Sequence, residues 1–426
     1  MHHGPPRRVA IVAAKRIPFA RSNTAYAKLS NKTMLTDTLR AIVDAAGLQG
    51  ALLGEVVGGA VMKHPRDWNL VRECTLSSGL DPRTPAFDVQ QACATGLEAA
   101  ILVANKIALG QIDAGIACGT DTTSDAPIAV NPRMQRAMMD FNGARSRAAK
   151  LKALAAMAHP GNVVPEIPQN AEPRTGRSMG QHAQLTADRW GIGRHEQDEL
   201  ALASHRNLAK AYDDGFFRDL VVPYHGLERD NNLRPDTTLE KMARLRPAFA
   251  EGGTITAANA SPLTDGASAV LLASEDWARE RGLPVLAYMT AAQTAAVDFV
   301  DEREGLLMAP AYAVPRMLER ARLSLHDFDL YEMHEAFASV VLCTLKAWES
   351  PEFCEKRLGL PSALGSIDRA RLNVKGSSIA AGHPFAATGG RILGTLAKML
   401  HEKGHGRGLV SVCAAGGQGA TAILER

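Results

Sequence analysis

Two stretches of this chain repeat one succession of elements, and that duplication constrains the fold more than any other feature of the sequence. The first copy opens on Val9-Ala10-Ile11-Val12-Ala13-Ala14, an unbroken apolar run of the kind buried strands show. A helical pattern follows over about 36–46, closed by Gly47, and then a second strand, Val56-Val57-Gly58-Gly59-Ala60-Val61. After a long connection come Cys93, a helix over about 94–109 with Gly110 as its stop signal, and the strand Ala114-Gly115-Ile116-Ala117-Cys118-Gly119. The second copy begins at Val285-Leu286-Ala287-Tyr288-Met289-Thr290, has a helix over about 312–321, and continues with the strand Phe328-Asp329-Leu330-Tyr331-Glu332-Met333. His334-Glu335-Ala336-Phe337 follow, then His383, a helix over about 386–403, and the strand Gly408-Leu409-Val410-Ser411-Val412-Cys413.

Thr95-Gly96 and Thr388-Gly389 fall at matching places in the two copies, as do Cys118 and Cys413. Strands alternating with helices imply parallel βαβ units, whose functional loops gather at the carboxyl ends of the strands. Two such units side by side would bring Cys93, His334, His383 and Cys413 to one seam. The alternative is a chance similarity between Ala- and Gly-rich segments. Residues from about 131 to 253 break the rhythm, with Arg133, Arg136, Arg145, Arg147, Lys150 and Lys152, a proline-rich stretch over 160–173, and a helical run over about 194–212. They read as an inserted subdomain. The segments 253–261 and 267–273 are expected to return to sheet and complete the first core.

Composition narrows the class. A hydrophobic fraction of 46% and a charged fraction of 22% over 426 residues are those of an ordinary globular protein of two or three domains. Aromatics make up only 5%, so helices and sheet are expected to pack through small residues. A net charge of +3, with no basic tract interleaved with aromatics, argues against a nucleic-acid partner. None of the six cysteines forms a CxxC pair, so they read as free thiols of a reducing compartment, with no metal site expected. No run of 18 apolar residues is present, so no transmembrane segment is expected. The start, Met1 to Arg8, has no apolar signal core, and the protein is read as cytoplasmic.

Cys93 follows a short apolar run and polar Gln90-Gln91, and Ala94-Thr95-Gly96 open the helix after it. Unpaired N–H groups and the helix dipole at that start would favour a thiolate, hence a nucleophile; a buried inert cysteine is the bland reading. His383, between Gly382 and Pro384, could take the thiol proton, or serve only in packing or capping. Cys413 ends a strand and opens a loop with Gly416, Gly417 and Gly419, where N–H groups can converge on an oxyanion and a second thiol can move a proton to and from carbon. It reads otherwise as a small residue in a tight turn. His334 could donate to a thioester oxygen, or be part of an exposed polar turn.

Together these residues resemble the thiolase family. Ala92-Cys93-Ala94-Thr95-Gly96 is similar to the setting of its acyl-accepting cysteine, His334-Glu335-Ala336-Phe337 to its Asn/His-Glu-Ala-Phe motif, Gly382-His383-Pro384 with Ala387-Thr388-Gly389 to its Gly-His-Pro motif, and Cys413 with its glycine loop to its second catalytic cysteine. Asn259-Ala260-Ser261, Ser178-Met179-Gly180 and Leu245-Arg246-Pro247-Ala248-Phe249 match as well, and the resemblance spans nearly the whole chain. It implies an α/β fold of duplicated βαβαβαββ core domains layered α-β-α-β-α, with a mostly helical inserted loop domain. The domains would be 1–130 plus 254–283, 131–253 as the coenzyme A-binding loop domain, and 284–426.

The resemblance also implies ping-pong cleavage of 3-ketoacyl-CoA by an acyl-cysteine, as a step of fatty acid β-oxidation. Cys93 would be the nucleophile, His383 its base, Cys413 the acid/base at carbon, and His334 an oxyanion donor through water. The Cys93 amide and the Ala415 backbone would form a second oxyanion hole. Ser261 would touch the pantetheine, Arg234 would lie near the nucleotide, and Met179 would line the substrate site. Coenzyme A and acyl-CoA would be substrates, with no permanently bound cofactor. A homodimer or homotetramer is implied.

The sequence departs from the common pattern at His334, where many biosynthetic members have Asn, at Ala414-Ala415, and in an extension over about 349–371. These departures resemble the bacterial fatty-acid-degradation thiolases and the β subunit of the trifunctional enzyme, and so imply longer acyl chains and a hydratase–dehydrogenase α-subunit partner. Two rivals stand beside this reading. A decarboxylating ketoacyl synthase would use Cys93, His334 and His383 but has no need of Cys413. A non-catalytic acyl-CoA-binding protein would be expected to have lost one of the reactive residues.

Overall fold

The computed structural model describes residues 6–426; residues 1–5, part of the start read above as lacking a signal core, lie outside the described residues. Strand β1 (Val9–Arg16) leads to helix α1 (Asn31–Ala45), β2 (Glu55–Gly58), β3 (Ala86–Asp88), α2 (Thr95–Ala108) and β4 (Ala114–Asp121). The inserted region holds α3 (Pro132–Gly143), α4 (Arg147–Met157), α5 (Met179–Trp190) and α6 (Arg194–Asp213). Strand β5 (Thr264–Ser274) closes the first half, and β6 (Ala287–Ala296) opens the second. There follow α7 (Ala309–Ala321), β7 (Leu330–Met333), α8 (Ala338–Glu349), the short α9 (Ser378–Ala381), α10 (Thr388–Lys403), β8 (Arg407–Ala414) and β9 (Gln418–Glu425).

These strands lie in the order β7-β8-β9-β6-β1-β5-β4-β2-β3, and the sheet is symmetric about its centre. β1 and β6 meet antiparallel over Val9–Ile11, joining the two halves. Outward from that junction, β5, β4, β2 and β3 on one side correspond to β9, β8 and β7 on the other. The counterpart of β3 is reduced to a single parallel bridge between Tyr331 and Leu372. Parallel pairing holds only for β2 with β3 and β4 and for β7 with β8; the long strands pair antiparallel, so the sheet is mixed where strand–helix alternation alone implies parallel.

Three apolar clusters stack through the molecule. One packs α2 and α10 between the inner faces of both sheet halves, joining Leu97, Ala100 and Val103 with Ile392, Leu393, Leu396, Val270, Val410 and Val412. A second lies under α1 on the outer face of the first half, and a third under α7 and α8 on the outer face of the second. The result is a helix–sheet–helix–sheet–helix layering. Side chains facing opposite ways from alternate strand positions feed different layers, as Ile116 and Ala117 do.

Small residues let the two central helices touch. A Cβ on Gly389 would lie 2.2 Å from the Leu97 nitrogen, and one on Gly96 would lie 2.5 Å from the Ala386 carbonyl oxygen. The matched Thr-Gly pairs of the two copies are therefore in direct contact, and the helix starts that follow Cys93 and His383 meet across the pseudo-twofold. In two places the sequence expectation fails. Residues 253–261 form no strand, because Gln184 Oε1 accepts from the Thr254 and Ile255 amides and Asn259 Oδ1 accepts from the Thr256 amide, so side chains take up the bonds a ladder would use. Helix α1 begins at Asn31, five residues before the expected 36, because the Ser30 hydroxyl accepts from the Thr33 amide and caps it there. The extension over 349–371 packs against the body: Cys354 is fully buried, and Phe353 stacks edge-on against Trp190 and Tyr312. Among the described residues no helix is long and apolar enough to cross a membrane.

Candidate active site

Cys93 sits two residues ahead of the first residue of α2, in a turn whose preceding residue is strained. Ala92 has φ +46°, which a side-chain-bearing residue adopts at a cost of about 1–3 kcal/mol. Thr95 holds the turn: its hydroxyl donates to the Ala92 carbonyl over 2.7 Å and accepts from the Gln91 amide over 2.9 Å. The half-buried Cys93 thiol is thereby aimed across the seam. His383 meets it there, with Nε2 3.1 Å from Cys93 Sγ. The His383 ring is fixed from behind. Its Nδ1 lies 2.7 Å from the Thr388 hydroxyl at the start of α10, and its amide donates to Thr264 Oγ over 2.7 Å.

His334 follows β7, and its amide donates to the Ser411 carbonyl of the adjacent β8 over 2.8 Å. Its ring centroid is 4.1 Å from that of His383. The nearest donor atoms of Cys93, His334 and His383 all lie within 4.8 Å of one another, a spacing that metal-binding trios share. The direct Cys93–His383 hydrogen bond instead pairs a nucleophile with a base. His334 Nδ1 is 2.7 Å from Ser378 Oγ, whereas its buried Nε2 has no hydrogen-bond partner among the described residues.

Cys413 lies near the end of β8, opposite Gly419 of β9, and is buried against Ala183, Phe299, Ala336 and Phe337. Met179, at the first turn of α5, packs on the same cluster. The Ala415 N–H favours the ionised form of the Cys93 thiol. The Gly416 N–H donates to Glu172 Oε1 over 2.7 Å, so a carboxylate from the inserted region pins the glycine loop.

Burial decides the charge states. It pushes the Cys93 thiol up to about 12, against the opposing pull of the Ala415 and Cys93 N–H groups. Burial first, and the nearby Arg391 charge second, bring His383 down to about 3. His334 is held well below the usual histidine range by burial, then by His383 and Arg391. Burial, then the neighbouring Cys93, raises Cys413. The thiolate expected from the helix start is therefore corrected: the resting pair is thiol and neutral imidazole.

Of the residues singled out from sequence, Cys93, His334, His383, Cys413 and Ala415 are brought to one place, with Met179 beside Cys413. Ser261 donates to the Ala336 carbonyl over 2.9 Å, on the loop that leaves His334. Arg234 lies elsewhere, exposed on a cleft shared with His205, Lys241, Met242 and Ile379. Sequence reasoning passed over Glu172, Ser378, Thr388 and Arg391. Thr388 was legible as the hydroxyl at the helix start five positions after His383; Glu172 carries no local signal.

The family and fold recur among known proteins. The sequence model "Thiolase, N-terminal domain" matches residues 9–276, and "Thiolase, C-terminal domain" matches residues 283–426. The chain is 42% identical over 425 residues to a 3-ketoacyl-CoA thiolase of Pectobacterium carotovorum subsp. carotovorum, covering 98% of this chain and 96% of that one. It is 41% identical to a 3-ketoacyl-CoA thiolase of Yersinia pestis, over 98% and 97% of the two chains. Among solved structures, the Bacillus anthracis acetyl-CoA acetyltransferase superposes with a TM-score of 0.81 at 30% identity, over 99% of each chain. The human mitochondrial 3-ketoacyl-CoA thiolase in complex with CoA gives 0.80 at 28% identity, over 98% of each. Matched in both halves and over nearly its full length, the chain belongs to the thiolase family.

Proposed function

We propose that the chain is a 3-ketoacyl-CoA thiolase that cleaves its substrate with coenzyme A in two covalent half-reactions. The observation that carries this reading is the 3.1 Å contact between Cys93 Sγ and His383 Nε2, with a second buried thiol, Cys413, in the same seam. The Cys93 proton passes to His383 Nε2 as sulfur attacks the keto carbon. The C2–C3 bond breaks, acetyl-CoA departs as its enolate, and Cys413 delivers a proton to C2. Coenzyme A then gives its thiol proton to the Cys413 thiolate and attacks the acyl-Cys93 thioester. Cys93 leaves and recovers its proton from His383. Neutral partners suit this cycle, since each transfer is driven by the step it accompanies.

His334 Nε2 would hold the enolate oxygen, directly or through a water, and the Cys93 and Ala415 N–H groups would hold the tetrahedral oxygen. Residues 131–253 would form the loop domain that binds coenzyme A, with Met179 and Ser261 near the reacting end and Arg234 near the nucleotide. The Arg234 cleft also holds Lys241, which is paired with Asp236 at 2.8 Å, so Arg234 is the cation there that would meet a phosphate. Family membership supports a homodimer or homotetramer, a cytoplasmic enzyme of fatty acid β-oxidation, and a hydratase–dehydrogenase partner.

The test is a thiolysis assay with 3-ketoacyl-CoA substrates from short to long, run beside a malonyl-thioester decarboxylation assay. Thiolysis without decarboxylation supports the proposal. Decarboxylation without thiolysis would assign the Cys93–His334–His383 trio to a condensing synthase.

A further inference from the structure

The reaction asks His334 to donate through Nε2, yet a neutral imidazole carries its proton on either nitrogen. The surroundings of Nδ1 decide which. Ser378 Oγ, 2.7 Å from His334 Nδ1, belongs to α9 and is fully buried. Arg391, from the first turn of α10 and itself buried, donates from Nη2 to that same oxygen over 2.8 Å and to Ser377 Oγ over 3.2 Å. A guanidinium offers no lone pair, so the Ser378 proton cannot be directed at Arg391. His334 Nδ1 is its one remaining partner among the described residues, and the arrangement that satisfies both the Ser378 hydroxyl and Nδ1 has Ser378 donating to Nδ1. Nε2 then bears the hydrogen, and it is the nitrogen without a partner among the described residues, on a ring whose centroid lies 4.1 Å from that of His383.

The other histidine makes the contrast. His383 Nδ1 faces the Thr388 hydroxyl at 2.7 Å, and no guanidinium is aimed at that oxygen. Thr388 can accept from Nδ1–H and leave Nε2 with its lone pair toward the thiol. Two adjacent histidines thus require opposite tautomers, and the element that separates them is one buried arginine. Glu332, two residues before His334 on β7, favours the Arg391 charge, but burial raises its own carboxyl to about 8, and both its oxygens and Arg391 Nε make no hydrogen bond among the described residues. Arg391 Nη2 is directed at the two serines.

We propose that Arg391, acting through the Ser378 hydroxyl, is a positioning residue that fixes His334 as the Nε2–H tautomer and so makes it a donor to the thioester oxygen. This rests on the thiolase reading of His334 given above.

Two-bond 15N–1H correlation spectra of histidine-labelled full-length protein distinguish neutral tautomers, and His334→Asn assigns the signal by removing it. The wild type should show His334 protonated on Nε2. Arg391→Met and Ser378→Ala should each lose that single tautomer and lower kcat about 10–100-fold, the usual effect of removing such a partner, with KM changed by no more than about twofold. Arg391→Lys should recover part of both. Because the two residues act through one oxygen, the double variant Arg391→Met/Ser378→Ala should be no slower than Ser378→Ala alone.

Protonation on Nδ1 in the wild type, or a double-variant loss equal to the product of the single losses, would overturn the proposal. If Arg391→Met fails to fold, Ser378→Ala and Arg391→Lys carry both readouts. Undiminished turnover of His334→Ala would instead remove the oxyanion role itself. The tautomer spectra would then still decide whether Arg391 and Ser378 set the ring.

Discussion

Replacing Gly389 by alanine should slow the enzyme without touching any reacting group. The added Cβ would stand 2.2 Å from the Leu97 nitrogen and 2.8 Å from the Gly96 carbonyl carbon, both backbone atoms of α2. Ordinary contact needs roughly 3.4 Å, so α2 and α10 must separate by about 1 Å at their starts. Overpacking of this kind costs about 1–3 kcal/mol, which should lower Tm by a few degrees. The functional effect is larger. The same separation carries Cys93 away from His383, stretching their 3.1 Å contact toward about 4 Å, and a misplacement of about 1 Å costs on the order of 100-fold in rate. The assay is kcat for thiolysis at saturating substrate, with circular dichroism to confirm the fold. Gly143→Ala is the control: it ends α3, its Cβ meets nothing within 4 Å, and it should be neutral or stabilising by up to about 1 kcal/mol. A Gly389→Ala enzyme that folds and turns over at the wild-type rate would refute the claim that helix contact sets the Cys93–His383 distance.

Three further outcomes are expected. With His383 brought down to about 3 and Cys93 pushed up to about 12, the pair stays neutral in between. Acid should abolish the base only near the lower value and alkali should ionise the thiol only near the upper, so kcat/KM should be flat from pH about 5 to about 9; a limb with a midpoint near 7 would contradict the charge assignment. Glu172→Ala frees the Gly416 amide and should lower kcat about tenfold by loosening the Ala415 N–H, a loss of about 1.4 kcal/mol, while Glu172→Gln keeps most activity because an amide oxygen still accepts. Equal losses in the two variants would remove the hydrogen bond from the account. Cys413→Ala should still acylate at Cys93 from acetyl-CoA but lose condensation, read by intact mass and by acetoacetyl-CoA formation; parallel loss of both would make Cys413 structural.

Much of this was legible in the sequence, for physical reasons. Unbroken apolar runs such as Val9 to Val12 are what a strand covered on both faces requires, and they lie in β1. The repeated Thr-Gly pairs marked where two helices need to touch. Contacts from outside the duplicated halves were not legible: Glu172 reaches the glycine loop from the inserted region, and nothing near it in sequence says so. The burial of Arg391 was not legible either. Arg391 falls on the same side of its helix as Thr388, Thr395 and Lys398, a pattern that reads as a polar face, and its partners Ser378 and Glu332 come from other elements.

The thiolate expectation failed on magnitude. A helix start favours an anion by about 0.3–1 kcal/mol, whereas moving a thiol from 9.0 to about 12 corresponds to roughly 4 kcal/mol, so desolvation wins. The expected strand over 253–261 failed because apolar and small residues do not reveal that Gln184 and Asn259 satisfy the backbone.

The central claim is that Cys93 carries the acyl group between two half-reactions. Its most direct test is rapid quenching of the enzyme with a 3-ketoacyl-CoA in the absence of free coenzyme A, followed by intact mass and peptide mapping. The account predicts one shortened acyl group per chain, on the peptide containing Cys93, discharged when coenzyme A is added. An acyl group on Cys413, or turnover with no acyl-enzyme in a protein whose Cys93 is intact, would contradict it.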